Sequence, residues 1–340
     1  MTQTPVPSPS STPAAAADGP TRTRRLLRAV AVVSCLPYLG LKAAWIAGSR
    51  AGIPEGSTLL DHRTTMAVAN GVSLLMDSCV IVLALVLTRP WGRRVPAPAL
   101  ALPVWVATGL LAPIMTGFPL QLLTRALTGD TAGESGGAGR EPFLDEWVFG
   151  VVYTGFIVQG LALGALFVLY ARDRWGHLWR GRMWDLPSRV TDRTQQAVAV
   201  TAGALALFPA AVRLYWACGG TAGLGADRAA ERTGDFHVLE GMYAAFLAGA
   251  VAGALLLAFR RAPALRVRVP LALTWVCSGA AACWGGWMLL GSLATAGGSA
   301  DDTTPLTLFT YAAQMLVGLL LATVGARFLT LRTATSRVRP

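Results

Sequence analysis

The sequence predicts an all-α integral membrane protein in which eight transmembrane helices form two parallel four-helix repeats. Three observations predict this fold class: an apolar composition, basic residues concentrated in alternate loops, and a segment that occurs twice. Hydrophobic residues make up 54% of the chain, charged residues only 14%, and the mean hydropathy is +0.51. A soluble domain is about one quarter charged. The composition therefore indicates a multi-pass membrane protein.

Eight apolar stretches approach or exceed the ~20 residues that a helix needs to cross a bilayer. Arg24, Arg25 and Arg28 precede the first stretch and could mark a signal peptide, but the apolar run continues past Cys35. We therefore expect an uncleaved first span. The predicted spans are 29–48, 66–88, 99–117, 147–171, 195–217, 238–259, 270–293 and 306–328.

The net charge of +11 could suggest a nucleic-acid partner, but its distribution argues against one. Of the 29 basic residues, 21 lie in alternate segments: the N-terminal tail, 89–94, 172–193, 260–268 and the C-terminus from Arg327. The intervening loops carry six. This asymmetry follows the positive-inside rule and predicts a cell-membrane protein with both termini in the cytoplasm. The charge distribution therefore predicts that the protein's partner is the lipid bilayer and not a nucleic acid.

The segment "KAAWIAGSRAG" at 42–52 is matched in register by "RLYWACGGTAG" at 213–223. Further matches follow in the same order, so each half contains four predicted spans. An even number of spans makes both halves enter the membrane from the same side, which gives a parallel repeat. The matched pairs include Lys42 with Arg213, Trp45 with Trp216, Trp105 with Trp275, and Tyr153 with Tyr311.

The predicted organisation has five parts. The N-terminus is rich in Pro, Ser, Thr and Ala, a composition typical of disorder. None of the five cysteines has metal-ligand or disulfide-framework spacing. We expect a disordered cytoplasmic tail at 1–27, the first repeat at 28–171, a basic cytoplasmic linker at 172–194, the second repeat at 195–330 and a basic tail at 331–340.

Lys42 and Arg213 each place a cation inside an apolar run. Such a cation can reach the headgroups or neutralise a neighbouring helix, and it can also hold an anionic group of a ligand. Because both halves keep the cation, we favour the structural role.

Asp77 is the first candidate for chemistry. Asn70, Ser73 and Asp77 recur at spacings of three and four, so they form one polar stripe on an apolar helix. An acid that faces lipid near the bilayer centre costs ~3 kcal/mol or more, so Asp77 must face the bundle. An ion pair between Asp77 and Lys42 is the alternative to a catalytic role.

Glu146, at the start of the fourth span, is the second candidate. The repeat places Thr304 opposite it, and the matching part of the sixth span has no acid opposite Asp77. The N-terminal half thus keeps two carboxylates that its copy lacks. A solvated acid at the start of a helix is the alternative for Glu146.

Acids and histidines in the outer loops could gather at the outer face of the protein. No metal-ligand spacing such as H-x-x-x-H occurs among them, so we predict neither a metal nor a cofactor. These residues are Asp61, His62, Asp235, His237 and Glu240.

The segment "RLYWACGGTAGLG" at 213–225 resembles the "H-x-Y-W-A-x-G-G-x-x-G-L" signature of a family of actinobacterial multi-pass membrane proteins. Arg213 stands where that family has His, and the likeness implies no particular activity. In its eight spans, buried acids and aromatic residues, the chain is also similar to the membrane-bound terpene cyclases of actinobacterial meroterpenoid biosynthesis. Those enzymes cyclise farnesylated aromatic substrates.

The second resemblance implies an enzyme that acts on a lipophilic substrate. Asp77, kept neutral by burial, would protonate a terminal alkene or epoxide, and Glu146 or tryptophans would line the pocket. Aromatic rings would then stabilise the carbocation, although most tryptophans in such spans pack helices. A small-molecule transporter with an Asp77–Lys42 coupling site and a non-catalytic membrane protein are the alternatives. The expected substrate-binding residues are Trp45, Asn70, Trp105, Tyr153, Trp216, Glu240 and Trp275.

Overall fold

The computed structural model describes residues 21–55, 57, 63–128, 144–187, 190–230, 232–295 and 303–337. In these ranges the regular structure is helical, apart from one isolated bridge between Arg182 and Arg266. The α-helices are α1 (Arg22–Val33), α2 (Leu36–Ile46), α3 (Arg63–Thr88), α4 (Ala97–Thr128), α5 (Glu146–Trp175), α6 (Arg193–Ala217), α7 (Ala226–Ala230), α8 (Gly234–Phe259), α9 (Arg268–Thr295) and α10 (Pro305–Arg337).

Eight helical segments in the described ranges are long and apolar enough to cross a membrane. The first comprises α1 and α2 together, and α3, α4, α5, α6, α8, α9 and α10 are the others. The predicted all-helical class and the predicted number of candidate spans are therefore confirmed. Helix α7 is a five-residue turn of helix between α6 and α8.

The first candidate span is interrupted, although its sequence is continuously apolar. Helix α1 ends at Val33 and α2 begins at Leu36. Pro37 has no N–H group to donate to the carbonyl of the preceding turn, so the hydrogen-bond ladder breaks there. At the break, the N–H of Cys35 donates to the carbonyl of Val32 at 3.2 Å, three residues back rather than the four of an α-helix. In addition, α1 begins at Arg22, so residues 22–27 are helical rather than part of a disordered tail.

Several helices extend beyond the predicted spans. Helix α4 covers 32 residues and α10 covers 33. At a rise of 1.5 Å per residue, α10 is about 50 Å long, whereas the hydrocarbon core of a bilayer is about 30 Å thick. Both helices are therefore longer than the hydrocarbon core requires.

The helices pack as two groups. Helices α1–α5 contact one another and form the N-terminal bundle, and helices α6, α8, α9 and α10 form the C-terminal bundle. Each bundle has its own hydrophobic core. The two bundles meet where α4 packs against α8 and α9.

Helices α4 and α9 approach closely because glycines face each other at their crossing. A Cβ atom on Gly109 would lie 2.4 Å from the Gly279 carbonyl oxygen. Beside this crossing, Trp105 Nε1 donates to Ser278 Oγ at 3.3 Å. Small residues at a crossing allow such backbone contact between membrane helices.

The described part of the predicted linker is folded rather than extended. The Met183 N–H donates to the Leu265 carbonyl at 2.9 Å, and the Val267 N–H donates to the Gly181 carbonyl at 3.2 Å. Met183 and Val267 also belong to a third apolar core, which includes Phe328 of α10. The linker thus packs against the α8–α9 loop and the end of α10.

Candidate functional site

Two of the predicted pocket tryptophans fix the turns that follow α2 and α6. Trp45 Nε1 donates to the Ala51 carbonyl at 2.8 Å, and Trp216 Nε1 donates to the Ala222 carbonyl at 3.1 Å. In both halves the acceptor lies six residues after the indole. The repeated segment therefore encodes a turn, and these two indoles have a structural partner.

The glycines of the repeated segment serve the same turns. Gly48 has φ = 93° and Gly219 has φ = 94°. Residues other than glycine rarely adopt this left-handed backbone conformation, because their Cβ atom approaches the carbonyl oxygen. Gly52 and Gly223 follow with φ = 73° and 80°. Glycine is thus required at matching places in both halves.

The cation of the C-terminal bundle, Arg213, is completely enclosed. Its side chain is 1% exposed, and Nη1 donates to the two carboxylate oxygens of Glu240 at 2.9 and 2.7 Å. Nε and Nη2 donate to Gln314 Oε1 at 3.1 and 2.9 Å. The rings of Tyr243 and Tyr311 lie 4.7 and 5.1 Å from the guanidinium carbon. The Arg213 guanidinium group is therefore bonded to partners within the bundle.

This arrangement corrects the expectation that Glu240 could gather with other acids at the outer face. Glu240 is 3% exposed and pairs with Arg213 inside the bundle. Asp235 pairs instead with Arg125, and His237 Nδ1 lies 3.1 Å from the Trp216 carbonyl oxygen. Asp61 and His62 lie outside the described residues. Within the described ranges no group of three acids, histidines and cysteines could hold a metal ion.

The N-terminal bundle arranges its charges differently. Lys42 and Asp77 are 4% and 7% exposed and lie within electrostatic range of each other. No Lys42 nitrogen to Asp77 oxygen distance is within 4.0 Å, so the two residues form no direct ion pair. Lys42 Nζ lies instead over the Tyr38 ring, 4.0 Å from the ring centroid. Asp77 Oδ2 is buried and has no hydrogen-bond partner. The Asp77–Lys42 ion pair, which was the alternative to a catalytic role for Asp77, is thus a through-space interaction. One carboxylate oxygen of Asp77 remains unsatisfied.

Tyr38 and Tyr153 lie near this site. Tyr38 packs edge-to-face on Phe156 at 4.7 Å between centroids, and its hydroxyl lies beside Ser73. Tyr153 stacks on Phe118 at 4.8 Å. Asp77 also acts electrostatically on Cys35, at the break between α1 and α2. The site is therefore formed by the interrupted first span together with α3 and α5.

The residues predicted to bind substrate do not form one pocket. Asn70 lies on the same stripe of α3 as Asp77, while Trp105 lies at the crossing of the two bundles. Trp275 stacks on Phe167 at 5.4 Å, and its buried Nε1 has no hydrogen-bond partner. Glu146 is the first residue of α5, but its side chain lies outside what the structure describes.

Four residues that contact the buried cations were not among the predicted site residues: Tyr38, Tyr243, Tyr311 and Gln314. A signal was available for Gln314, because it is a polar residue within the apolar stretch 306–328. Glu240 and Arg213 were likewise opposite charges in adjacent candidate spans. The partnership between them depends on how α6, α8 and α10 face one another, which no local pattern reports.

No protein-family model, curated protein or solved structure matches this chain. The fold and site thus define a class: an all-helical chain that has, in its described residues, eight segments capable of crossing a membrane. Each of its two bundles buries a cation and a carboxylate.

Proposed function

We propose that the protein lies in the cell membrane as two parallel four-helix repeats, with both termini in the cytoplasm. The same indole–carbonyl hydrogen bond occurs at Trp45 and Trp216. Helices α3 and α8 have 26 residues each and begin at matching positions. Gly109 and Gly279, which match in the repeat, meet at the α4–α9 crossing, as expected where a two-fold axis relates two halves. The distribution of basic residues supports the orientation.

We further propose that the N-terminal bundle carries the functional site and that Asp77 is its proton-binding group. One observation carries this proposal: Asp77 Oδ2 has no partner, whereas the cation and carboxylate of the other bundle, Arg213 and Glu240, bond to each other. An unpartnered buried carboxylate is unfavourable, so it gains from a proton or from a ligand that donates a hydrogen bond. A bonded Arg–Glu pair gains nothing comparable.

The function that this geometry supports best is proton-coupled movement of a small lipophilic molecule through the membrane. While Asp77 is ionised, its charge compensates that of Lys42 through space. When Asp77 binds a proton, the Lys42 cation loses this compensation and attracts an acceptor or anionic group of the ligand. Proton binding and ligand binding are then coupled because each changes the affinity for the other.

Terpene cyclisation is the second candidate function. The rings of Tyr38, Phe118 and Tyr153 favour it, because aromatic faces stabilise a carbocation. The Lys42 ammonium group weighs against it, since a second positive charge in the same low-dielectric site repels a carbocation.

The decisive experiment compares Asp77→Asn with the wild type in proteoliposomes that contain a trapped pH-sensitive dye. Lipophilic weak acids and amines are added in turn, and proton movement that depends on the compound is recorded. We expect Asp77→Asn to fold but to lose this movement, because an amide binds no proton at neutral pH. The matched control is Asp173→Asn, which changes a partly exposed acid paired with Arg24 and should retain the movement.

The same vesicles are then incubated with farnesylated indoles, and the products are analysed by mass spectrometry. Isomers of unchanged mass, formed by the wild type and lost by about 10²–10⁴-fold in Asp77→Asn, would favour cyclisation over transport. If the wild type is active in one of these assays and the Asp77→Asn variant is equally active in it, Asp77 has no role in the function.

A further inference from the structure

The linker and the α8–α9 loop, which pack against each other, form a strongly basic surface. In the described segments 176–187 and 260–268 there is one acid, Asp185, and its Oδ2 accepts a hydrogen bond from the Arg182 backbone N–H at 2.8 Å. The surface shares no residue with the Asp77 site, so it requires a separate explanation. The same two segments carry six arginines: Arg180, Arg182, Arg260, Arg261, Arg266 and Arg268.

The backbone places two of these arginines side by side. Arg182 and Arg266 are directly opposite each other in the isolated antiparallel bridge. The hydrogen bonds of this bridge are made by the residues on either side of them, so the two arginines form a non-hydrogen-bonded pair. In such a pair the Cα atoms are about 4.5 Å apart, and both side chains leave the same face. The two guanidinium groups therefore start from adjacent points.

The surrounding structure anchors both strands of the bridge. Met183 and Val267, the neighbours of the two arginines, are fully buried in the third apolar core. On α10, Arg332 donates to the carbonyls of Leu178 and Arg180 at 3.0 Å each. Because the backbone is held on both sides, the two arginines cannot move apart without loss of these contacts.

The side chains of the pair remain available to a ligand. Arg182 and Arg266 are both exposed, and within the described residues neither guanidinium group donates a hydrogen bond or forms an ion pair. The Arg182 guanidinium carbon lies 5.0 Å from the centroid of Trp184, whose indole is itself 55% exposed. Like charges directly opposite each other across a bridge repel. An anion that bonds to both groups is therefore favoured here.

The position of the loop indicates which anion meets this pair. The loop joins α8 and α9, two candidate spans, and the apolar side chains of Phe259 and Val269 are exposed at the adjoining helix ends. In the proposed orientation the loop therefore lies at the headgroups of the cytoplasmic leaflet, where an exposed indole such as that of Trp184 is also favoured. Anionic lipids give this leaflet a negative surface potential that attracts basic residues.

We propose that Arg182 and Arg266 together bind the phosphate group of an anionic phospholipid in the cytoplasmic leaflet. Planar guanidinium groups match phosphate oxygens in geometry as well as in charge. Arg180 and Arg268, two residues away on each strand, are also exposed and add positive charge. They repel a headgroup that contains an ammonium group, so a headgroup without one is preferred. This proposal rests on the proposed orientation in the membrane and is independent of Asp77.

The test measures the thermal unfolding of the purified full-length protein in detergent at about 0.15 M salt, where screening limits contacts between separate charges to about 8 Å. The probes are phosphatidylglycerol and phosphatidylcholine with the same acyl chains. A lipid that binds the folded protein raises its unfolding temperature with lipid concentration, which gives an apparent affinity. The wild type should bind phosphatidylglycerol more tightly than phosphatidylcholine. Arg182→Gln and Arg266→Gln should each weaken phosphatidylglycerol binding by about tenfold, because each removes a charge-assisted hydrogen bond.

Arg93→Gln and Arg94→Gln are the matched controls. Both arginines are exposed, lie near the exposed Trp91 and belong to a segment that we also assign to the cytoplasm. They are consecutive residues of one short helical turn, however, and do not face each other across a bridge. These variants should keep the wild-type affinity for phosphatidylglycerol.

Glycerol phosphate, a soluble equivalent of the headgroup, separates a lipid site from a site for free phosphate compounds. It should bind more weakly than phosphatidylglycerol, because it has no acyl chains to place beside Phe259 and Val269. Equally tight binding of glycerol phosphate or of phosphatidylcholine to the wild type would overturn the proposal. So would unchanged affinity in Arg182→Gln and Arg266→Gln, or an equal loss in the two control variants. None of these results bears on Asp77, since the measurement involves neither transport nor cyclisation.

Discussion

Lys42 and Arg213 occupy matching positions in the repeated segment, yet they have different partners. Arg213 binds a carboxylate and an amide directly. Lys42 lies over the Tyr38 ring and reaches Asp77 only through space. The guanidinium group has five donors in a fixed plane and suits a closed site, whereas the ammonium group is a compact charge that can change partners.

This difference predicts unequal costs of removing the two cations. Arg213→Met leaves the Glu240 carboxylate buried without its partner and should destabilise the protein by about 3–5 kcal/mol. Lys42→Met should cost less, because it breaks no direct ion pair. Thermal unfolding in detergent, followed by intrinsic tryptophan fluorescence, measures both. Exchanging Glu240 for Leu in the Arg213→Met background should recover part of the loss, because both charges are then gone.

A Lys42→Met protein less stable than Arg213→Met would contradict this assignment.

At the scale of single residues, the sequence predicted that Asp77 faces inward, because Asn70, Ser73 and Asp77 share one stripe. Its burial bears this out. The bond between Arg213 and Glu240 was not predicted, since the choice of partner depends on packing between distant segments.

The turns after α2 and α6 are the elements that the repeated segment encodes. In both turns a glycine with positive φ follows the helix. In both, the indole N–H of a tryptophan donates to the backbone carbonyl six residues later in the chain, and this hydrogen bond closes the turn. A Cβ atom on Gly48 or Gly219 would meet no atom within 4 Å, so conformation alone requires glycine there.

Gly48→Ala and Gly219→Ala should therefore destabilise the protein by similar amounts, about 1–2 kcal/mol each, the cost of the left-handed conformation. Gly40→Ala is the matched control. Gly40 lies within α2, where a Cβ also has free space, and alanine favours the helix. The thermal unfolding assay compares all three. Equal costs at Gly40 and Gly219 would show that the turn conformation is not the cause.

Hydropathy located the centres of the helices better than their ends. It found the apolar part of α10 but not the extension to Arg337, because polar residues can continue a helix beyond the hydrocarbon. It also missed the break at Ser34 and Cys35, since the run stays apolar while Pro37 removes a backbone donor.

For the whole molecule, the proposed orientation in the membrane rests on the basic residues, with 21 on one predicted side and six on the other. Reporter fusions after residues 55, 130, 225 and 300 should all give extracytoplasmic signals. Fusions in the basic segments 89–94 and 260–268 are the controls and should give cytoplasmic signals. A cytoplasmic signal at any two of the four outer positions would refute the proposed topology.

The central claim for the whole molecule is that its two bundles have diverged: one binds its charges to each other, and the other keeps Asp77 available for a proton. Infrared difference spectroscopy between acidic and alkaline pH tests this directly, because a protonated carboxyl group has its own carbonyl-stretching band. The wild type and Asp173→Asn should both show the band of a buried carboxyl group that gains and loses a proton. Asp77→Asn should lack it. The same band in Asp77→Asn would contradict the claim, because the proton would then bind elsewhere.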